Sequence, residues 1–573
     1  MAAVDKKQFA AETVAEAYLA LLKDRGVDRL FVNAGTDFAS IVEAYGRLKL
    51  SGLDLPEVVV CSHENVAVSM AHGAYLGDRS LSAVMLHTSV GTANGICGII
   101  NAARDRIPIM LTAGRSPLFE HDTFGARNAG IHWAQELFDQ AGMLREFVKW
   151  DYELRDGVQV EEVVDRAVDV ALTEPRGPIY LSLPREVLAK PADGIQVRAA
   201  ASQPSDPAPA PEAVAALADH LVDATFPVIA ASASGADPTT VPLLDDLCRR
   251  FSIGLAEAGP RYVNASDDHP LHLGFGLGRA LIDADVLCFL DVDVPWTQSM
   301  SNPRDETVIV QAGPDPHFVR YPIRSHRSDL AITTTSKHLL EALAPALAER
   351  QGRIDPGRYQ RLADLASERR AQTAAALAEE AASAASDAPI TKSFMNWALE
   401  QVRPRDSIIV NEYWASRAMQ TGLAPGGYFG TPPAGGLGWG LPAALGVQMV
   451  RPDDLVIAAV GDGAYLFANP AACHHAMAQH HLPVLTIIAT NRKWGAVEGS
   501  ARAMYPEGYA SSAGELTPLA RLEPVPEFER YVEASGGYGE GVSARADLIP
   551  AFERALKVVL EERRPAVVNV QCE

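Results

Sequence analysis

Two polar residues, Asp462 and Asn491, stand 29 positions apart, each one residue beyond an apolar run. The runs Leu455–Val460 and Val484–Ala489 have the composition of buried parallel strands. Both residues are therefore expected at carboxyl ends of neighbouring strands, where open α/β sheets bind ligands. A carboxylate and an amide oxygen converging there suit a hard octahedral cation such as Mg²⁺, which also takes phosphate oxygens. Gly461, Gly463 and Ala464 flank the carboxylate with little side-chain bulk, so a phosphate can approach the backbone. Asn469-Pro470 predicts a side-chain cap and a first-turn proline for a helix running to about His480. The segment is built for a metal-diphosphate.

The positioning elements repeat along the chain. Arg29–Val32, Val58–Cys61, Ser82–Leu86, Ile107–Thr112 and Ile179–Leu183 read as strands with helical patterns between them. A proline- and alanine-rich stretch, 190–211, predicts a linker. Pro227–Ala230, Asp285–Leu290 and Thr307–Val310 are the strands of a second unit. Alanine-rich Arg358–Ser386 predicts a helix before a third unit that ends on the strand Ala566–Val570. The fold class is thus α/β, with three doubly wound parallel-sheet domains at 1–189, 212–350 and 389–573, joined through 190–211 and 351–388. The end of the chain directly after its last strand argues against a long C-terminal lid.

Composition excludes several roles. A net charge of −22 argues against nucleic-acid or anionic-membrane partners. Six dispersed cysteines without a Cys-x-x-Cys pair suit reduced thiols and a cytoplasmic protein. The first 22 residues are amphipathic, with Phe9, Val14, Tyr18 and Leu21 at helical spacing, and lack a secretory apolar core. No apolar run approaches the roughly 20 residues that span a bilayer.

The Gly-Asp-Gly…Asn arrangement resembles the signature of the thiamine-diphosphate (ThDP) enzymes. Nearly the whole chain is similar to their decarboxylase and acetolactate-synthase group. The resemblance implies a pyrimidine-binding first domain, a structural middle domain and a diphosphate-binding third domain. It implies ThDP and Mg²⁺, with Asp462, Asn491 and the Lys493 main-chain carbonyl as metal ligands. Thr490 stands where the family usually has a first Asn. The family pairs a Glu with the aminopyrimidine ring so that the ring can take the thiazolium proton; here that is Glu64, in Ser62-His63-Glu64-Asn65. Val58, Val59, Val60, Val66 and Val68 are expected to desolvate it. In the family this Glu reaches a neighbouring copy's cofactor, which implies a homodimer as the minimal active unit and a homotetramer as the assembly.

Other segments carry further resemblances. Val84–Asn94 is similar to the benzoylformate decarboxylase segment whose active-site His falls on His87, and Asn33–Thr36 to its loop that offers Thr36 to the substrate carboxylate. Ala434–Gly440 matches the loop whose apolar wedge bends the cofactor, placing Leu437 there, and Asn411-Glu412 matches a loop near the diphosphate. Glu498 falls where some family members keep a proton-transferring Glu, and Gln135 resembles a Gln of acetolactate synthases. Ile131, Gln135, His87 and Val497 would line the substrate pocket. His121-Asp122 departs from the His-His pair of pyruvate decarboxylases.

The function these residues imply is a C–C lyase, foremost a non-oxidative 2-oxo acid decarboxylase of benzoylformate type with carboligase capacity. An acetolactate-synthase-type carboligase or a 2-hydroxyacyl-CoA lyase is the alternative. A non-catalytic scaffold subunit is the rival from another class. His474, His475, His480 and His481 read as solvated or packed rather than metal-binding, on or after a helix the family exposes. Gly274–Arg279 lacks a clear preceding strand and an acidic ribose partner, so FAD is not expected.

Overall fold

A computed structural model of the chain describes residues 6–7, 11–192, 195, 197–198, 203–512 and 518–573. Phe9 therefore lies outside the described residues. Three six-stranded parallel sheets form the framework. The first holds Arg29–Val32, Glu57–Val60, Ser82–Leu86, Ile109–Arg115, Asp151–Glu153 and Ile179–Pro184. With strands numbered by chain order within each sheet, its order is 2-1-3-4-6-5. The second sheet, Pro227–Ala231, Gly254–Glu257, His272–Phe275, Val286–Leu290, Val308–Gly313 and Leu330–Thr333, runs 3-2-1-4-5-6. The third, Ile408–Glu412, Tyr428–Phe429, Val456–Gly461, Leu485–Thr490, Tyr538–Val542 and Ala566–Gln571, repeats the 2-1-3-4-6-5 order of the first.

Most of the predicted strands form because their residues are apolar, many of them β-branched, and buried on both faces. In the second sheet, Ile229, Ala231, Leu255, Cys288 and Leu290 enter one core, while Val228, Ala230, Ala256, Leu287 and Phe289 enter the other. This alternation is the period-two pattern of a sheet covered on both sides. Pro108 delays the fourth strand to Ile109, because proline cannot donate to the ladder. Asp151–Glu153, Gly254–Glu257, His272–Phe275, Leu330–Thr333, Ile408–Glu412, Tyr428–Phe429 and Tyr538–Val542 are strands the sequence pattern did not predict. Most are short, polar or rich in glycine, so apolar periodicity is silent for them.

Chain contacts divide the molecule into two compact units. One is Met1–Pro204, Pro432–Gly539 and Val558–Val567; the other is Ser205–Thr431, Glu540–Lys557 and Val568–Glu573. In the first unit, helix Val14–Asp24 is buried from Val14 to Leu22, not amphipathic as its spacing predicted. Helix Pro470–His480 starts at Pro470 as expected, yet Asn469 is no side-chain cap: it sits in the left-handed region at φ 55°. A separate short helix, Asp462–Phe467, precedes it. In the second unit, helix Arg358–Ala382 fulfils the alanine-rich prediction. Among the described residues no helix is long and apolar enough to cross a membrane.

Candidate active site: two half-sites at equivalent strand tips

The shared strand order puts the two chemical segments at matching places. His87 follows the third strand of the first sheet, and Asp462 begins directly after the third strand of the third. In this order the crevice opens beside strands 1 and 3, where neighbouring connections leave in opposite directions.

The first half-site, around Asp462, is held by main-chain contacts. Asp462, 3% exposed, accepts hydrogen bonds from the Gly463 N–H at 2.8 Å and the Arg492 N–H at 2.7 Å. Its carboxylate thereby ties together the tips of two adjacent parallel strands, Val456–Gly461 and Leu485–Thr490. Burial raises its pKa above the ordinary carboxylate value, while the N–H groups of Arg492, Gly463 and Asn491 pull it back. Asn491 follows the second tip, and its side-chain oxygen accepts the Lys493 N–H at 3.2 Å. A Cβ on Gly463 would lie 2.4 Å from the Trp494 ring, so the turn needs glycine there. A Cβ on Gly461 would meet nothing within 4 Å, so the residue before Asp462 borders open space. A buried carboxylate and an amide oxygen next to open space fit a hard cation with a phosphate ligand. Ala464 is buried in the same short helix.

The loop carrying Leu437 belongs to the same unit. Leu437 is half-buried between Gly436 and Gly438, the latter at φ +84°. Glu412 is buried at the end of strand Ile408–Glu412 in the other unit.

The second half-site centres on Glu64, the buried first residue of helix Glu64–Asp78. His63 accepts the Asn65 N–H and so caps that helix, turning the chain to bring Glu64 inward. Asn94 donates to Glu64 Oε2 at 3.2 Å. A Cβ on Gly91 would lie 3.2 Å from Glu64 Oε1, so glycine makes the close approach possible. Of the expected valine shell, Val59, Val66 and Val68 are fully buried, whereas Val60 is 42% exposed and does not seal the carboxyl.

His87 lies beside this cluster. Its Nδ1 is 2.5 Å from Asp37 Oδ1, and its Nε2 is 3.3 Å from Gln135 Nε2. The Asp37 hydrogen bond, with the charges of Asp37 and Glu64, raises its pKa above the ordinary imidazole value against the opposing effect of burial. A Cβ on Gly35 would meet His87 Nδ1 at 2.1 Å, which explains the glycine before Thr36. Thr36 itself is exposed, and the contact to His87 comes from its neighbour Asp37. Asp37 also accepts the Thr88 N–H at 3.2 Å, supplying the cap that helix Thr88–Arg104 lacks at its own start. Sequence reasoning passed over Asp37; the available signal was an acid following Asn-Ala-Gly-Thr directly after the first strand.

The remaining candidates sort plainly. Ile131 and Val497 are about half exposed. Glu498 is held by two cations: Lys493 Nζ stands 3.1 Å away and Arg502 2.5 Å away. His474 is packed rather than solvated, buried against Tyr465 with 2.6 Å from Nε2 to the hydroxyl. No cluster of three His, Cys, Asp or Glu suited to a metal exists among the described residues. His121 and Asp122 are exposed and bonded to each other. A strand, His272–Phe275, does run into Gly274–Arg279, contrary to expectation, but only the four-residue helix Ala280–Asp283 follows. The Arg369 guanidinium fills the close space at Gly278.

Known proteins are similar to this chain in sequence and fold over most of its length. The thiamine pyrophosphate enzyme N-terminal TPP-binding domain matches residues 12–143, and the C-terminal TPP-binding domain matches 410–570. The chain is 27% identical to a benzoylformate decarboxylase of Pseudomonas aeruginosa, covering 98% of each chain. It is 26% identical to a probable acetolactate synthase of Mycobacterium bovis, covering 96% of this chain and 94% of that one. The solved structure of a ThDP-dependent 4-hydroxybenzoylformate decarboxylase from Rhodococcus jostii RHA1 has the same fold, with a TM-score of 0.78, 22% identity and coverage of 98% and 99%. The two matched modules enclose both half-sites, and the chain belongs to the thiamine pyrophosphate enzymes, in their decarboxylase and acetolactate-synthase group.

Proposed function

We propose that the protein is a ThDP- and Mg²⁺-dependent C–C lyase that decarboxylates a small 2-oxo acid without oxidation and joins acyl units as a side capacity. The observation that carries this reading is His87, fixed between Asp37 and Gln135 beside Glu64. When bound, ThDP would supply a carbon nucleophile and an electron sink for the cleaved bond. Asp462, Asn491 and the Lys493 carbonyl would hold Mg²⁺, and Gly461, Gly463, Ala464 and Glu412 would border the diphosphate. Glu64 would exchange a proton with the aminopyrimidine ring, and Leu437 would hold the two rings close enough for proton transfer between them.

At the substrate, His87 would give or take a proton at the carbonyl oxygen, and Thr36 would bind the carboxylate. Glu498, poised by two cations, would serve the carbon that is protonated on release. Ile131 and Val497 would set pocket width. We take the domains to be 1–189, 212–350 and 389–573, and the working assembly to be a cytoplasmic homodimer or homotetramer in which Glu64 serves a neighbouring copy.

The 3.3 Å approach of Gln135 to His87 favours a second reading, an acetolactate-synthase-type carboligase. Incubation with ThDP, Mg²⁺ and a panel of 2-oxo acids and 2-hydroxyacyl-CoA esters separates these readings by product: aldehyde and CO₂, acyloin, or thioester fragment. Calorimetry showing no ThDP binding would instead indicate a scaffold subunit.

A further inference from the structure

Asn101 lies inside helix Thr88–Arg104 and is 1% exposed. Asparagine is a poor interior helix residue, and its amide is costly to bury without partners. Both ends of that amide meet one residue. Asn101 Nδ2 donates to the Gly436 carbonyl at 2.9 Å, and the Gly436 N–H donates to Asn101 Oδ1 at 3.0 Å. A Cβ on Gly436 would stand 2.8 Å from both Asn101 Oδ1 and Cys97 Sγ, so only glycine lets the amide close on the main chain. On the other side of Leu437, a Cβ on Gly438 would lie 2.4 Å from the Phe467 main chain, at the end of the helix that Asp462 begins. Leu437 is thus held between two main-chain anchors. Asn94, about two turns earlier on the Asn101 helix, is the donor to Glu64.

We infer that Asn101 is a positioning residue for the reaction: its amide clamps Gly436 and so fixes where Leu437 stands against the cofactor rings. This rests on the ThDP reading above. Intramolecular proton transfer between the rings is steeply sensitive to their approach, so a slackened loop slows it even when the diphosphate anchor is intact.

The test uses the full-length protein with Asn101→Ala and the near-isosteric Asn101→Asp. In ligand-free protein, hydrogen exchange at the Gly436 amide should speed up about tenfold in Asn101→Ala. In protein loaded with ThDP and Mg²⁺, deuterium exchange at the thiazolium carbon should slow about tenfold, while ThDP affinity stays within about threefold. Asn101→Asp keeps the acceptor but not the donor and should fall between wild type and Asn101→Ala in both measurements; it decides the question if the alanine variant does not fold. Unchanged Gly436 exchange, or fast carbon exchange in a variant whose Gly436 amide has loosened, overturns the inference alone. A wild-type chain that binds no ThDP overturns the inference together with the functional reading.

Discussion

His87 Nδ1 and Asp37 Oδ1 are 2.5 Å apart, and this contact fixes the imidazole tautomer. With the Nδ1 proton donated to Asp37, Nε2 is an acceptor and receives the Gln135 amide N–H. Protonating His87 turns Nε2 into a donor, so the Gln135 amide must rotate to present its oxygen. Asp37 favours the charged ring and raises the His87 pKa. Asp37→Asn should therefore move the His87 midpoint, followed by NMR of the ring protons, to lower pH. The limb of the kcat profile that belongs to His87 should move the same way. An unmoved midpoint would mean that Asp37 does not tune the His87 ring.

Glu64 predicts a different split. Glu64→Gln keeps the shape of the side chain and a polar contact to Asn94 but loses the exchangeable carboxyl proton. Turnover should fall by about 10²-fold or more, while ThDP affinity stays within about tenfold, because the diphosphate anchor is separate. Titration calorimetry alongside steady-state rates measures both. Weakened cofactor affinity with normal turnover of the bound fraction would reverse the assignment.

The legibility of the sequence followed its periodicity. Eleven apolar runs became strands, most within two residues of their predicted ends, because buried parallel strands are continuously apolar. Edge strands such as Asp151–Glu153 and Tyr538–Val542 carry too little apolar signal to be read that way. Asp462 and Asn491 were legible because the geometry of strand tips converts spacing into proximity. Asp37 and Asn101 were not, because their partners, His87 and Gly436, are 50 and 335 positions away. Glu498 was legible as a candidate, and its i,i+4 pairing with Arg502 lies within helix Gly495–Met504, but its pairing with Lys493 depends on how the Asn491–Gly495 turn folds back.

His474 ties stability to pH. Burial lowers its pKa to about 4, so the folded state holds it neutral while the unfolded chain protonates it near 6.5. The folded state binds fewer protons, and its stability falls as pH drops from about 6.5 toward 4. The loss from this one group approaches about 3 kcal/mol at the acid end of that window. His474→Gln retains an acceptor for the Tyr465 hydroxyl but does not titrate there. Its denaturant midpoint should decline less steeply than that of wild type between pH 6.5 and 4. An identical slope would mean that other groups dominate acid unfolding.

Asp462 joins fold and chemistry, so its two roles must be separated. Asp462→Ala removes acceptors for the Gly463 and Arg492 N–H groups and should cost about 1–3 kcal/mol of stability even without ligand. Asp462→Asn retains one acceptor oxygen and the side-chain volume but turns an NH2 toward the other main-chain N–H. Its ligand-free melting temperature should therefore fall, though less than that of Asp462→Ala, and the ligand-induced shift is read against its own ligand-free value. The cation, however, loses its anionic donor. In wild type, ThDP with Mg²⁺ at about 100 times the dissociation constant should stabilise the fold by about 2.7 kcal/mol. A hundredfold weaker site at the same concentrations would retain only about 0.4 kcal/mol, so the thermal shift should nearly vanish in Asp462→Asn. Chelation should abolish the wild-type shift, and added Mg²⁺ should restore it. A full shift in Asp462→Asn would exclude this carboxylate from cofactor binding and leave it the single role of tying two strand tips together.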